Sequence, residues 1–283
     1  MTTLPTLAVT GSTGALGGLV ARDLADRGVP QRLLARSPER VPRFAAGVPV
    51  PAAYGDRDAA VRALLGVRTL LMVSGSESAD RLEQHRTFVD AAVVAGVEQI
   101  VYTSFLGASA DCTFTLGRDH WATEEHIRSS GMAFTFLRDN FYLDFLPLTV
   151  GEDGVIRGPA GEGRVSAVAR ADVARVAAAV LLDPESHRAA TYDLTGPESL
   201  SLTEAARIIG EATGREVTFH DETVDEAYSS RLKWEAPAWQ YDAWVSTYTA
   251  IAAGELAGVT DDVERVTGRR PLSLDELLRG AIA

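Results

Sequence analysis

A short strand that runs straight into a glycine turn and then a helix constrains this chain more than any other feature. Leu7-Ala8-Val9-Thr10 is apolar, Gly11-Ser12-Thr13-Gly14-Ala15-Leu16-Gly17 follows, and Leu16, Val20 and Leu24 then recur every four residues. That interval places the three on one helical stripe. Gly28-Val29-Pro30 ends the helix. The glycines allow a tight turn and a close approach of backbone to a pyrophosphate. Gly17 allows the helix to pack on the strand, and the first helical amides face the ligand with the positive end of the dipole. The spacing alone is weak. Between a strand and an amphipathic helix it predicts dinucleotide binding, against the plainer reading of an ordinary glycine turn.

The alternation continues. Arg32–Ala35 reads as a second strand, and Val48-Pro49-Val50 as a weak third that its prolines push to an edge. Val67–Val73 reads as the fourth, Gln99–Tyr102 lies in the fifth, and Phe134–Leu137 is the sixth. A helix is expected over 80–95 with Leu82, Phe88 and Ala92 inward. Such alternation means right-handed βαβ units and a parallel, doubly wound, Rossmann-like α/β sheet. After about residue 140 the pattern loosens into a glycine-rich excursion. Asp172 reads as the N-cap of a helix over 173–182. Thr191–Leu194 reads as a late strand, and helices are expected at 202–213, 237–254 and 273–282. The reading is an NAD(P)-binding core over 1–145 and a smaller C-terminal α+β lobe over 146–283, interleaved with the core.

An NAD-selective site places an acid about twenty residues beyond the turn, on the ribose hydroxyl. The end of the second strand carries Arg36 instead. A guanidinium there suits a 2′-phosphate, so NADP(H) is expected over NAD; the alternative is a solvated surface arginine. Arg40 and Arg43 either assist or face solvent. The net charge of −12 disfavours nucleic-acid binding. Cys112 is the only cysteine, so it reads as an inert, partly buried thiol. No run approaches the ~20 apolar residues of a membrane span, and no leader pattern precedes the first strand. A cytoplasmic protein is expected.

Several segments, in this order and spacing, resemble the NmrA-like branch of atypical short-chain dehydrogenases. They are the Gly11–Gly17 turn, Arg36-Ser37-Pro38, Tyr54-Gly55-Asp56, Ser74-Gly75-Ser76-Glu77, Gln84-His85-Arg86, Tyr102-Thr103-Ser104 and Arg170-Ala171-Asp172. Within that branch the type 2 NAD(P)H:quinone oxidoreductases are the nearest match. The resemblance implies a Rossmann core, a small C-terminal lobe and an active cleft. It implies that Gly11, Ser12, Thr13, Gly14, Ala15 and Leu16 wrap the pyrophosphate and that Arg36 meets the 2′-phosphate. Ser74, Gly75 and Ser76, with Thr103 and Ser104, would line the cofactor. Asn140, Phe141 and Tyr142 would lie by the nicotinamide. Where many relatives carry Asp, this chain has Ala53.

Lys233 is the only lysine, and the residue four before it is Ser229. A Tyr-x-x-x-Lys proton relay is therefore excluded by spacing, as is a Walker-type loop. His120 stands on the helix where relatives carry a Lys or His. It is four residues from Glu124, and with Tyr142 it is the candidate for the chemistry, as a proton donor near neutral pH or as an orienting group. The plain alternative is a half-exposed histidine paired with Glu124. His85 shares a stripe with Leu82, Phe88 and Ala92 and reads as a hydrogen-bonded core residue. No metal site is expected, since no His/Asp/Glu cluster has ligand spacing. Phe105, Trp121, Phe141, Tyr142 and Phe145 either wall a flat substrate or pack the core. Trp234, Trp239 and Trp244 suit helix packing or a homodimer face. Two functions stay open: NADPH-dependent reduction of quinones or related small electrophiles, and non-catalytic NADP(H) sensing through a protein partner. A sugar-nucleotide epimerase or an isoflavone-type reductase is the weaker third reading.

Overall fold

The computed structural model describes residues 4–280. In chain order its regular elements are β1 (Leu7–Thr10), α1 (Ala15–Asp26), β2 (Gln31–Ala35), β3 (Gly47–Pro51), α2 (Arg57–Leu64), β4 (Thr69–Met72), α3 (Arg81–Ala95), β5 (Gln99–Phe105), α4 (Thr115–Ser129), β6 (Ala133–Asp139), β7 (Val155–Gly158), β8 (Arg164–Val165), α5 (Arg170–Leu182), β9 (Ala190–Leu194), β10 (Leu200–Ser201), α6 (Leu202–Thr213), β11 (Thr218–Asp221), α7 (Val224–Arg231), α8 (Ala238–Ala252), α9 (Asp262–Thr267) and α10 (Leu274–Gly280). Short 3-10 helices cover Pro38–Arg40, Leu143–Thr149 and Pro184–His187. Two compact units form. One takes the chain up to Ser104, Asp119–Arg138 and Val173–Tyr192; the other takes Phe105–Arg118, Asp139–Asp172 and Asp193 onward.

The first unit is built on a seven-stranded sheet of order β3-β2-β1-β4-β5-β6-β9. The pairs β3–β2, β2–β1, β1–β4 and β4–β5 are parallel. All four residues of β1 are buried, as are all five of β2, because helices cover both faces of such a sheet and leave no polar side. β3 is half exposed and carries Pro49 and Pro51 at the sheet edge, where their missing amides cost nothing. Strand order reverses between β1 and β4, and ligands of doubly wound folds bind at the carboxyl ends of such strands. Leu34, Leu70, Met72, Phe88, Ile100, Tyr102, Ile127 and Phe136 fill the core below.

α1 buries Leu16, Val20 and Leu24, the stripe its sequence predicts. In α3 the inward positions are Arg81, His85, Phe88, Val89, Ala91 and Ala92. Leu82 is only half-buried, contrary to expectation, because the helical face turns toward the polar pair Arg81 and His85.

The second unit pairs β7 with β11 in parallel and β8 with β10 antiparallel. Its core includes Leu143, Ile156, Ala205, Ile209, Ile251 and Leu274. Asp172 does not cap α5. The helix starts two residues earlier, where Asp144 Oδ2 accepts the Arg170 amide at 2.9 Å, and Asp172 Oδ2 accepts the Leu272 amide at 2.7 Å. α6 occupies the expected span, closed by a capping box of Ser201 and Glu204. The last helix covers 274–280, and the remainder of its expected span, 281–282, lies outside the described residues. No helix among the described residues is long and apolar enough to cross a membrane.

Candidate active site

In the first unit the glycine turn has the geometry of an anion cradle. Gly11 sits at φ +64°, in the left-handed region that favours glycine. The Gly14 amide closes the turn on the Gly11 carbonyl at 2.8 Å. Gly14 then caps α1 with no side-chain hydrogen bond, and the first turn of the helix holds no acid. The leading amides of α1 thus lack a partner within the helix. Thr13, Gly14 and Ala15 are exposed, whereas Leu16 points its side chain into the core and offers only its amide. Ser12 is 1% exposed, and its Oγ has no hydrogen-bond partner among the described residues. A buried hydroxyl left so costs about 1–3 kcal/mol. An acceptor oxygen arriving at the turn would remove that cost, so these residues fit a dinucleotide pyrophosphate. Thr10 pairs in register with Leu34, so Arg36 stands just beyond the same sheet edge. It is exposed and, among the described residues, makes no ion pair, as a 2′-phosphate ligand requires.

The segment after β4 is held from four sides. Thr10 Oγ1 accepts the Val73 amide at 2.8 Å, and Tyr54 donates to the Val73 carbonyl at 2.5 Å. Thr103 Oγ1 accepts the Ser74 amide at 2.8 Å. The Gly75 amide donates to His85 Nε2 at 2.8 Å, and Arg81 Nε donates to the Gly75 carbonyl at 2.9 Å. Thr103, expected as a cofactor contact, is 1% exposed and serves the segment instead. Ser104, expected beside it, is fully buried and donates to Glu124 Oε1 at 2.6 Å.

Behind that segment lies a polar network whose tautomers follow from its donors. Arg81 Nη2 donates to His120 Nε2 at 2.9 Å, so the proton of His120 is on Nδ1, 3.1 Å from the Tyr102 hydroxyl. His85 accepts at Nε2, so its Nδ1 donates to Thr123 Oγ1 at 3.0 Å, and Thr123 donates on to the Asp119 carbonyl. Burial, then the Arg81 cation, push the His85 pKa down to about 3. Burial, then Arg81, then His85, hold that of His120 well below its ordinary value. His120 is therefore not the half-exposed, neutral-pH proton donor expected. It is 6% exposed and neutral, and Glu124 instead joins Ser104, Arg128 and Arg138. His85 is a hydrogen-bonded core residue, as expected. Sequence reasoning missed Arg81. Its spacing of four from His85, on the face of Phe88, was the available signal.

This network makes acid stability predictable. Each histidine binds fewer protons folded than unfolded, so its contribution is complete above about pH 6.5 and is lost as pH falls, for His85 down to about 3. Between pH 6.5 and 5 the unfolding free energy should drop by roughly 1.4 kcal/mol per pH unit per histidine. His85→Gln should halve that slope in urea titrations. An unchanged slope would mean His85 is protonated in the folded state.

In the second unit the Asn140–Tyr142 segment is equally engaged. Asn140 is 1% exposed; its Nδ2 donates to Ser166 Oγ and the Leu256 carbonyl at 2.9 and 3.0 Å, and its Oδ1 accepts the Phe141 amide. Its side chain fixes the loop. Phe141 packs against Phe105 and Phe114, with ring centres at 5.1 and 5.4 Å. Tyr142 donates its hydroxyl hydrogen to Asp139. Burial and the Asp139 charge raise its pKa well above the ordinary phenol value, so Tyr142 does not release a proton near neutrality. Cys112 is buried, with Sγ donating to the Phe114 carbonyl.

The NmrA-like family matches residues 4–238. Quinone oxidoreductase 2 of Escherichia coli is 36% identical over 223 residues, 76% of this chain and 77% of that protein. The NAD(P)H azoreductase of Xenophilus azovorans is 30% identical over 97% of each. The crystal structure of the Escherichia coli NADPH-dependent quinone oxidoreductase in complex with NADPH superposes with a TM-score of 0.89 at 29% identity, covering 98% of this chain and 100% of that one.

Proposed function

We propose, from the premise that this chain belongs to the NmrA-like family, that it reduces quinones or related small conjugated electrophiles with NADPH. The chain is an NADP(H)-dependent oxidoreductase. The observation that carries the proposal is the cradle at the first strand: an orphaned Ser12 hydroxyl, uncapped helix amides and an unpaired Arg36 at one sheet edge.

A bound reduced nicotinamide supplies the hydride; the chain supplies position. The amides of Thr13, Ala15 and Leu16 would hold the pyrophosphate, the Gly14 amide being engaged within the turn, and Arg36 would hold the 2′-phosphate. Ser74–Ser76 line the cofactor, fixed by Arg81, His85 and Thr103. Asn140, Phe141 and Tyr142 shape the acceptor side. Neither His120 nor Tyr142 gives up a proton near neutrality. His120 thus acts as a positioning residue through Arg81, and Tyr142 acts as an aromatic wall. A quinone accepts two electrons with the hydride and takes its second proton from water, which yields the hydroquinone without a protein acid.

NADPH oxidation with benzoquinones, naphthoquinones and azo dyes tests the reading, with turnover above background expected for at least one class. Tight NADPH binding without turnover of any acceptor would favour the sensor instead. In the same assay Arg36→Asp should weaken NADPH about tenfold and NADH little. Exposed charge-assisted bonds are worth up to about 3 kcal/mol before solvent screening reduces them.

A further inference from the structure

Arg170 holds a cation that the protein does not use. Its guanidinium carbon lies 4.9 Å above the centre of the Tyr142 ring and 4.2 Å above that of Phe145. Those rings are 6.3 Å apart and tilted by 32°, so the cation sits in the notch between them. Its backbone amide donates to Asp144, and the nearby Asp139 accepts the Tyr142 hydroxyl. Among the described residues neither carboxylate, nor any other, forms an ion pair with the Arg170 side chain. The half-buried Arg138 is spent on Glu124, and the buried Arg231 on Glu222. A cation held against ring faces keeps N–H donors that a two-oxygen acceptor can use. Beside it, Phe145 is 49% exposed and Leu148 is 73% exposed. An apolar shelf next to a fixed, unpaired guanidinium is complementary to a flat conjugated body that carries an anionic oxygen group.

We propose that Arg170 selects the acceptor, and that the preferred acceptor is an electrophilic ring system bearing a carboxylate, sulfonate or phosphate monoester. The inference rests on the reductase reading, in which Tyr142 lines the acceptor side, and names the substrate class for it. The anion stays intact through the reaction and serves only recognition.

A matched pair isolates the charge: a naphthoquinone with a propionate side chain and its methyl ester, which share one ring. A third compound, the phosphate monoester of the corresponding hydroxypropyl quinone, separates carboxylate from phosphate. The wild-type protein should favour the acids over the ester by about tenfold or more in kcat/KM, mostly through KM; this is about 1.4 kcal/mol, a modest part of a charge-assisted pair. Arg170→Gln should collapse the acid-to-ester ratio to about one, and Arg170→Lys should keep part of it. Calorimetric titration of the NADP+ complex with the same compounds reads the preference without turnover. Acid preference in binding without reduction would overturn the reductase reading and leave only the anion recognition by Arg170 standing. Equal binding of acid and ester, or a ratio untouched by Arg170→Gln, would overturn the inference alone.

Discussion

Gly17→Val is expected to weaken NADPH binding more than a hundredfold and to lower stability by about 3 kcal/mol, the upper end for overpacking. A Cβ at Gly17 would lie 2.4 Å from the Gly11 carbonyl oxygen, 2.5 Å from the Gly11 carbonyl carbon and 2.6 Å from the Thr10 carbonyl oxygen. All three atoms are backbone, so no side chain can rotate aside. α1 must lift from β1, and with it go the amides that face the pyrophosphate. Gly18→Ala is the internal control. Its Cβ would approach only the Ser12 carbonyl, at 3.3 Å, and alanine gains up to about 1 kcal/mol of helix propensity over glycine. Fluorescence titration and thermal melts should separate the two variants clearly. A Gly17→Val protein that binds NADPH within threefold of wild type would remove the turn from the site.

The part of the site that follows from local sequence was legible. β1, the glycine turn and the stripe of α1 lie within twenty residues of one another, and each feature dictates its neighbour. β3 was readable as an edge because proline cannot donate to a ladder. The order of segments also carried the family. What the sequence hid was the destination of its polar side chains. Thr103, Ser104 and Asn140 stand at strand ends, where a polar residue suggests a ligand contact, yet each is buried and bonded within the protein. Such pairings span 20 to 116 positions, and no periodicity reports a partner so distant. α3 misled for a related reason. Its apolar pattern includes Leu82, but the buried face follows Arg81 and His85, whose burial makes sense only once Tyr102 and His120 are known. The short strands β7, β8, β10 and β11 were invisible, since pieces of two to four residues among glycines give no pattern to read.

Arg81→Met should be the other damaging change, although Arg81 belongs to no recognised motif. The side chain is 4% exposed and serves three partners: the Gly75 carbonyl, His120 Nε2 and, at 3.4 Å, Asp119. Asp119 is 27% exposed and regains water when the arginine is lost. Its share of the cost is therefore small. Gly75 and His120 are different, because each acceptor loses its donor inside the protein, at about 1–3 kcal/mol apiece. A net loss of about 3 kcal/mol is expected. The functional effect should exceed what stability explains, because Gly75 is then held by His85 alone. Well below the melting temperature, kcat/KM for NADPH should fall about hundredfold, with KM carrying most of it. Arg81→Lys keeps the charge but lacks the fork that reaches two acceptors at once, and should recover stability more than activity. The histidines provide a signature that a merely structural role would not move. Arg81 is, after burial, the next cause of the low pKa values of both His85 and His120. Its removal lets both rise toward the unfolded value, so the acid-induced loss of stability should end at a higher pH than in wild type. A folded Arg81→Met enzyme with unaltered NADPH kinetics and an unaltered acid limb would show that the Ser74–Ser76 segment needs no such support.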